Sequence, residues 1–391
     1  MTSAQRFARA FAGAGFDLLP YILSEIGRAR AIYLARRLIL DTSTIESLNK
    51  LLINNGSPAA YSPELGISQL FLKRNDTICA KGQLACYMAE QGWKEPIEVT
   101  IEAPGYLYLG GTYIPVHGAI RIDGTAHGWE LRCGQSRYVR RKKFSPERTA
   151  VWRTYAPAKG MNFGLTETGA EVDDGVFPSI WEYPQSRSRD EADTSLQSDI
   201  QHFYLACNAL IETCAQHATW VNSLVRQVLF ARLKDNSADT SGSSSSYPGC
   251  IYLNPHPTPL LTAEALVHEA CHMALNAASD LAPIIKPGSN EVHYSPIKGV
   301  PRPIEMVYYA AHATANTAIF LSKAQKKRSL SEIEEKQLST WMHWHGIYSE
   351  NLRSSKSLTP FGRSIWDATT QLYQEHFDKC QTNEVALSLA T

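Results

Sequence analysis

The stretch LTAEALVHEACHMALNAASD, residues 261–280, constrains the chain more than any other. Its apolar positions Ala265, Leu266, Ala270, Ala274 and Leu275 recur at helical spacing. Thr262 is the expected N-cap, Glu264 falls in the expected first turn, where the helix dipole favours a carboxylate, and 276–280 is the expected exit. At the centre stand His268, Glu269 and His272, an HExxH pattern. On a helix, positions i and i+4 share one face, so two imidazoles reach one metal ion from a rigid support. Glu269 lies roughly 100° round from His268, near enough to touch a metal-bound water or a neighbouring ligand. The competing reading is a pair of buried histidines satisfied by backbone carbonyls.

A mononuclear centre needs a third protein ligand. Leu275 and Ala278 stand where the longer HExxHxxGxxH pattern has Gly and His, so the donor must come from farther along. After Pro303, IEMVYYAAHATANTAIF reads as a second helix on which Glu305, Tyr309 and His312 share one face. His312 is the favoured third ligand and Glu305 the alternative. His293 reads as a loop histidine. Arg302 sits between Pro301 and Pro303, which pin its backbone. A guanidinium held this way suits a bidentate carboxylate, or a structural ion pair with a nearby acid.

At ~150 residues per domain, 391 residues predict two to three domains. Lys+Arg and Asp+Glu are both 38, so the net charge of +0 argues against a generic nucleic-acid or anionic-membrane binder. The eight cysteines form no CxxC pair, which argues against a zinc ribbon. No signal peptide and no apolar window of about 20 residues is read, so a reducing cytoplasm with free thiols is expected. The pattern divides the chain into 1–94, helical; 95–190, β-rich with short antiparallel strands and an irregular linker from 150; and 191–391, a helical metal domain. The fold class is α+β. Within these, Ser195–Leu233 reads as helix, CIYLN as a strand, SGSSSS as a flexible loop and WMHWH, 341–345, as an aromatic packing surface. The basic run from Arg137 to Arg148 reads as a solvated strand end, His117 and His127 as surface residues, and Cys271 as core.

The assembly of Gly249-Cys250-Ile251-Tyr252-Leu253, AEALVHEACHMAL, YSPIKGVPRPIE and LTPFGRSIW, spanning roughly 240–370, resembles the HExxH-containing peptide-modification family, the 2-oxoglutarate-dependent peptide β-hydroxylases that mature ribosomally made natural products. The resemblance implies a largely helical metal domain that is not a jelly roll. It implies Fe(II) on His268 and His272, 2-oxoglutarate as cosubstrate, and a dioxygenase that hydroxylates a side-chain β-carbon of a precursor peptide carrying a leader. Arg302 is then the candidate for the 2-oxoglutarate carboxylate, with Glu269 orienting a ligand or water. The Gly and His that follow the Pro-Arg-Pro signature in that family fall here at Met306 and Tyr309. The motif alone also fits a zinc metallopeptidase, with Zn on His268, His272 and Glu305 and Glu269 as general base.

Overall fold

The computed structural model describes residues 3–13, 18–38, 40–55, 63–109, 112–125, 128–141, 153–155, 192–225, 227–230, 241–245, 248–253 and 256–388. The fold is α+β and not a jelly roll. Helices open the chain: α1 (Ser3–Ala12), α2 (Leu19–Arg37), α3 (Thr42–Asn55), α4 (Pro63–Lys73) and α5 (Thr77–Glu90). Strands β1 (Ile97–Leu109), β2 (Thr112–Thr125), β3 (Gly128–Cys133), β4 (Ser136–Arg141) and β5 (Arg153–Tyr155) follow. Then come α6 (Ala192–Thr213), α7 (Ala215–Leu224), β6 (Gln227–Phe230), β7 (Ser241–Ser243) and β8 (Cys250–Leu253). The C-terminal part holds α8 (Pro259–Leu281), the hairpin β9 (Val292–Ser295) and β10 (Val300–Pro303), and α9 (Ile304–Gln325), α10 (Glu332–Ser354) and α11 (Pro360–Ser388).

These elements form two compact units that do not follow chain order. One comprises 20–202 and 224–255. In it β1 to β4 form an antiparallel meander, as the alternating sequence from Ile97 predicts. The inward residues Val99, Ile101, Leu107, Ile114, Ile120, Ile122, Trp129 and Leu131 pack on Ala85, Cys86 and Ala89 of α5. The other face of α5 carries Leu84, Tyr87 and Met88 into a second core with Leu34, Leu48 and Leu52 of α2 and α3.

The second sheet corrects two expectations. The helical reading of 195–233 ends at Leu224, and QVLF becomes β6, paired parallel to β5 and β8. A short apolar run carries no period that separates a buried strand from a buried helix. The start of SGSSSS is likewise β7, antiparallel to β8, rather than loop. Most of the expected linker at 150–190, His127 and the basic run beyond Arg141 lie outside the described residues.

The other unit comprises 1–19, 203–223 and 256–391. Its centre is α9, buried from Ala310 through Ser322 along its whole circumference. A helix buried all round is one that packs on every side. Alanines at 310, 311, 313, 315 and 318 on α9, and at 270, 274, 277 and 278 on α8, let the two backbones approach closely. Helices α10 and α11 pack on α9 as well. Helix α1 docks here through its C-terminal turn. The carbonyls of Ala10, Phe11 and Ala12 would otherwise be orphaned. They accept from Trp220 Nε1 (3.2 Å), His312 Nε2 (2.9 Å) and Asn316 Nδ2 (3.3 Å). Gly13 follows with φ +108°, and a Cβ there would lie 2.2 Å from Asn316 Oδ1. Among the described residues no helix is long and apolar enough to cross a membrane.

Candidate metal centre

Helix α8 begins one turn earlier than the sequence suggests. Thr258 is the N-cap, its Oγ1 accepting from the Leu261 amide at 3.2 Å, and Pro259 opens the helix. Thr262, the expected cap, instead accepts from the His256 amide at 2.9 Å. The exit also moves, to Leu281. One consequence is chemical. Glu264 is not an exposed first-turn acid but a buried one, 3 % exposed, and Oε1 has no hydrogen-bond partner. Burial, reinforced by the charge of Glu269 and opposed by the neighbouring Trp341 indole, pushes its carboxyl up to about 8.

One turn on, His268 and His272 point at each other across the helix face, with Nε2 atoms 3.1 Å apart. Their rings meet edge to face at 4.7 Å. A ligand atom of Glu269 joins them, so that all three lie within 4.8 Å of one another. Both imidazoles are held neutral. Burial lowers His268 to about 4, with His272 adding to the effect. Burial likewise lowers His272 to about 4, and the cation of Arg302 pushes the same way. Neutral imidazole is the form that binds a metal. Two ligands at ~2.0–2.1 Å from one ion and 3.1 Å from each other subtend roughly 100°, within the range of tetrahedral or octahedral sites. The donor set therefore fits a transition metal. Without one, the pair can share only a single N–H between two lone pairs, and His272 Nδ1 is buried without a partner.

The two expected third ligands are not in this group. His312 lies on the buried face of α9, where its Nε2–H donates to the Phe11 carbonyl, and burial drops it to about 3. The i+7 spacing that joins it to Glu305 is real, but the docked α1 claims its donor. Glu305 is exposed in the first turn of α9. Tyr309, which stands where the resembled family has a histidine, does reach the centre: its ring stacks on His272 at 5.8 Å and 29°, and its hydroxyl donates to Asn276 Oδ1 at 2.8 Å.

Arg302 arrives on β10, and His293, expected in a loop, lies on β9, the other strand of the hairpin. The two are register partners, and His293 Nε2 lies 2.5 Å from Glu291 Oε1. Glu291 also accepts from Ser355 at 3.1 Å and from Ser357. The hairpin that presents Arg302 is thus tied to the segment before α11. The proline-pinned backbone was legible in the sequence; the Glu291 anchor was not, since no local period marks it.

Trp341 of α10 packs on His268 at 5.7 Å and on Trp344 at 5.2 Å. With Tyr309 it gives the two imidazoles aromatic neighbours on both sides. WMHWH does act as a packing surface, and His345 within it is a core group, bonded to the Ala311 carbonyl (3.3 Å) and to Ser349 (3.2 Å). Cys271 is fully buried, and burial raises its thiol well above the ordinary value. Compared with the known protein families and with curated proteins, the chain matches none.

Proposed function

We propose that the chain is an Fe(II)/2-oxoglutarate-dependent dioxygenase that hydroxylates a side-chain β-carbon of a ribosomally made peptide. The observation that carries this reading is the pairing of a two-imidazole donor set with a pinned cation: Arg302 bears electrostatically on His272. A metal that must take a bidentate oxoacid and oxygen needs open positions and a counter-charge for the distal carboxylate. In this reading His268 and His272 hold the iron, and Arg302 binds and orients the cosubstrate carboxylate. Glu269 holds a water or the third coordination position. Tyr309 and Trp341 exclude water around the imidazoles and offer apolar surface to a peptide side chain. When bound, Fe(II) would activate O2, the oxidant, with 2-oxoglutarate as the two-electron reductant that leaves as succinate and CO2, and the protein supplies position.

A second reading, a zinc metallopeptidase, is favoured by one observation: the Glu269 carboxylate lies within 4.8 Å of both imidazole donors, where a general base would act on a bound water. Its usual third ligand, Glu305, is not in that group.

Anaerobic loading with Fe(II), followed by 2-oxoglutarate and then O2, separates the two. Succinate formation, and a peptide heavier by one oxygen atom, support the dioxygenase. Peptide cleavage by the Zn-loaded protein that persists without O2, with no succinate from the Fe(II) form, supports the peptidase and ends the first reading. Arg302→Met is expected to raise the 2-oxoglutarate KM by roughly 10–100-fold with iron stoichiometry intact.

A further inference from the structure

Far along α9 from the candidate metal centre lies a second chemical cluster. Burial pushes the thiols of Cys79, Cys86, Cys207, Cys250 and Cys271 upward, the first and third of these to about 12. Cys214 behaves oppositely. It is the residue between α6 and α7, at the N-cap position of α7. An oxygen acceptor usually occupies that position. Here the acceptor is sulfur.

The geometry around Sγ defines its protonation state. Lys323 Nζ of α9 lies 3.2 Å away and His217 Nδ1 lies 3.1 Å away. The His217 backbone N–H is directed at the same atom. An ammonium has only protons to give, so the sulfur accepts from it. His217 is 3 % exposed and its Nε2 has no hydrogen-bond partner. Nδ1, the ring nitrogen that faces Sγ, is the one placed to donate to it. Three donors thus converge on one atom. A thiol is a weak acceptor, and a thiolate is a strong one.

We propose that Cys214, clamped by His217 and Lys323, is a nucleophilic thiolate and a site of covalent modification by small electrophiles, hydrogen peroxide among them. Burial alone would raise this thiol; the His217 and Lys323 donors more than reverse that and bring it to about 6. The acid nearest in sequence, Glu212 at the end of α6, is exposed. Lys326 is the C-cap of α9, and His376 of α11 is held down to about 4 by burial and by Lys326, Lys323 and His217. Lys327 donates its Nζ to the Glu212 carbonyl at 2.6 Å. With peroxide, a sulfur lone pair forms the S–O bond as the O–O bond breaks. Sulfur is oxidised by two electrons to sulfenic acid, and the departing hydroxide takes a proton from water or Lys323 and leaves as water. Cys214 is 6 % exposed, so the site admits small reagents and disfavours bulky ones. None of this depends on the metal chemistry.

The test is iodoacetamide alkylation of the native full chain across pH 5–9, read peptide by peptide by mass spectrometry. Cys214 is expected to reach half its maximal rate near pH 6 rather than near the ordinary thiol value of about 8.5. At pH 6.5 it is expected to react at least about tenfold faster than Cys79 and Cys207, whose thiols burial pushes up to about 12, the lower nucleophilicity of an acidic thiol offsetting only part of its thiolate excess. Lys323→Met moves the half-maximal pH up, and Lys323→Arg restores it. Dilute peroxide followed by a sulfenic-acid trap labels Cys214 before the other cysteines. A wild-type profile centred at 8 or above, or alkylation only under conditions that unfold the protein, overturns the proposal. That wild-type measurement decides the matter even if Lys323→Met does not fold.

Discussion

His312 separates a structural role from a metal role at one atom. Its Nε2–H caps the Phe11 carbonyl inside a buried contact between α1 and α9. Replacing it with alanine leaves that carbonyl buried and unpaired, which costs about 1–3 kcal/mol. His312→Ala is therefore expected to lower the melting temperature by several degrees while metal stoichiometry is retained. Loss of metal with an unchanged melting temperature would reverse the assignment. His268→Ala and His272→Ala are expected to do the opposite, abolishing stoichiometric metal binding in an equilibrium dialysis assay with the helical circular dichroism preserved. Gly362 makes a further residue-scale case. A Cβ there would lie 2.1 Å from the Ile284 carbonyl, and the Gly362 carbonyl accepts from Tyr308 at 2.7 Å. Gly362→Ala must push the start of α11 off the loop after α8, and a destabilisation of about 2 kcal/mol or more, read by urea titration, is expected.

Helix ends carry the next level of control. Glu334 serves two helices at once. Its Oε2 accepts from the Ser331 amide in the capping box of α10 at 2.9 Å, and its Oε1 accepts from Thr258, the N-cap of α8, at 2.7 Å and from Arg328 at 2.8 Å. Burial opposes its ionisation, yet the Arg328, Ser331 and Thr258 bonds together lower it to about 2. A carboxylate depressed on folding contributes stability that is present above its unfolded value of ~4.3 and is lost as pH falls toward 2. The unit holding α8 and α10 is thus expected to lose about 2 kcal/mol of stability across pH 4.5 to 2, and Glu334→Gln to flatten that acid limb while lowering stability at pH 7. Elements with a long, clean period were legible in advance: α8, α9 and the β1–β4 meander; the short strand β8 was marked by the polar loop before it. The start of α8 was not, because Thr258 and Thr262 are both competent caps and only the fold shows which amides each serves. Strand β6 was not, because four apolar residues hold no period. The imidazole pair and Arg302 were legible from spacing and from the flanking prolines. Trp341 and Glu264 as neighbours of the pair were not, since one arrives on α10 and the other changes character when the helix start moves.

For the whole molecule, the two units predict a divided response to metal. An ion held by His268 and His272 binds only the folded form of the unit that contains α8, stabilising it by mass action. Removing it with a chelator is expected to increase amide hydrogen exchange in α8 and in the facing stretch of α9, and to leave β1–β4 unchanged, as read by mass spectrometry of deuterated peptides. Equal deprotection of the meander would show that the two units unfold as one.

The docking of α1 has a kinetic corollary. Its three terminal carbonyls are satisfied by donors 210 to 304 positions away, and Arg9 pairs with Glu375 at 3.1 Å, 366 positions away. During synthesis this first helix emerges from the ribosome with nothing to cap it. It must wait, in contact with solvent or a chaperone, until the partners at Trp220, His312, Asn316 and Glu375 have been translated.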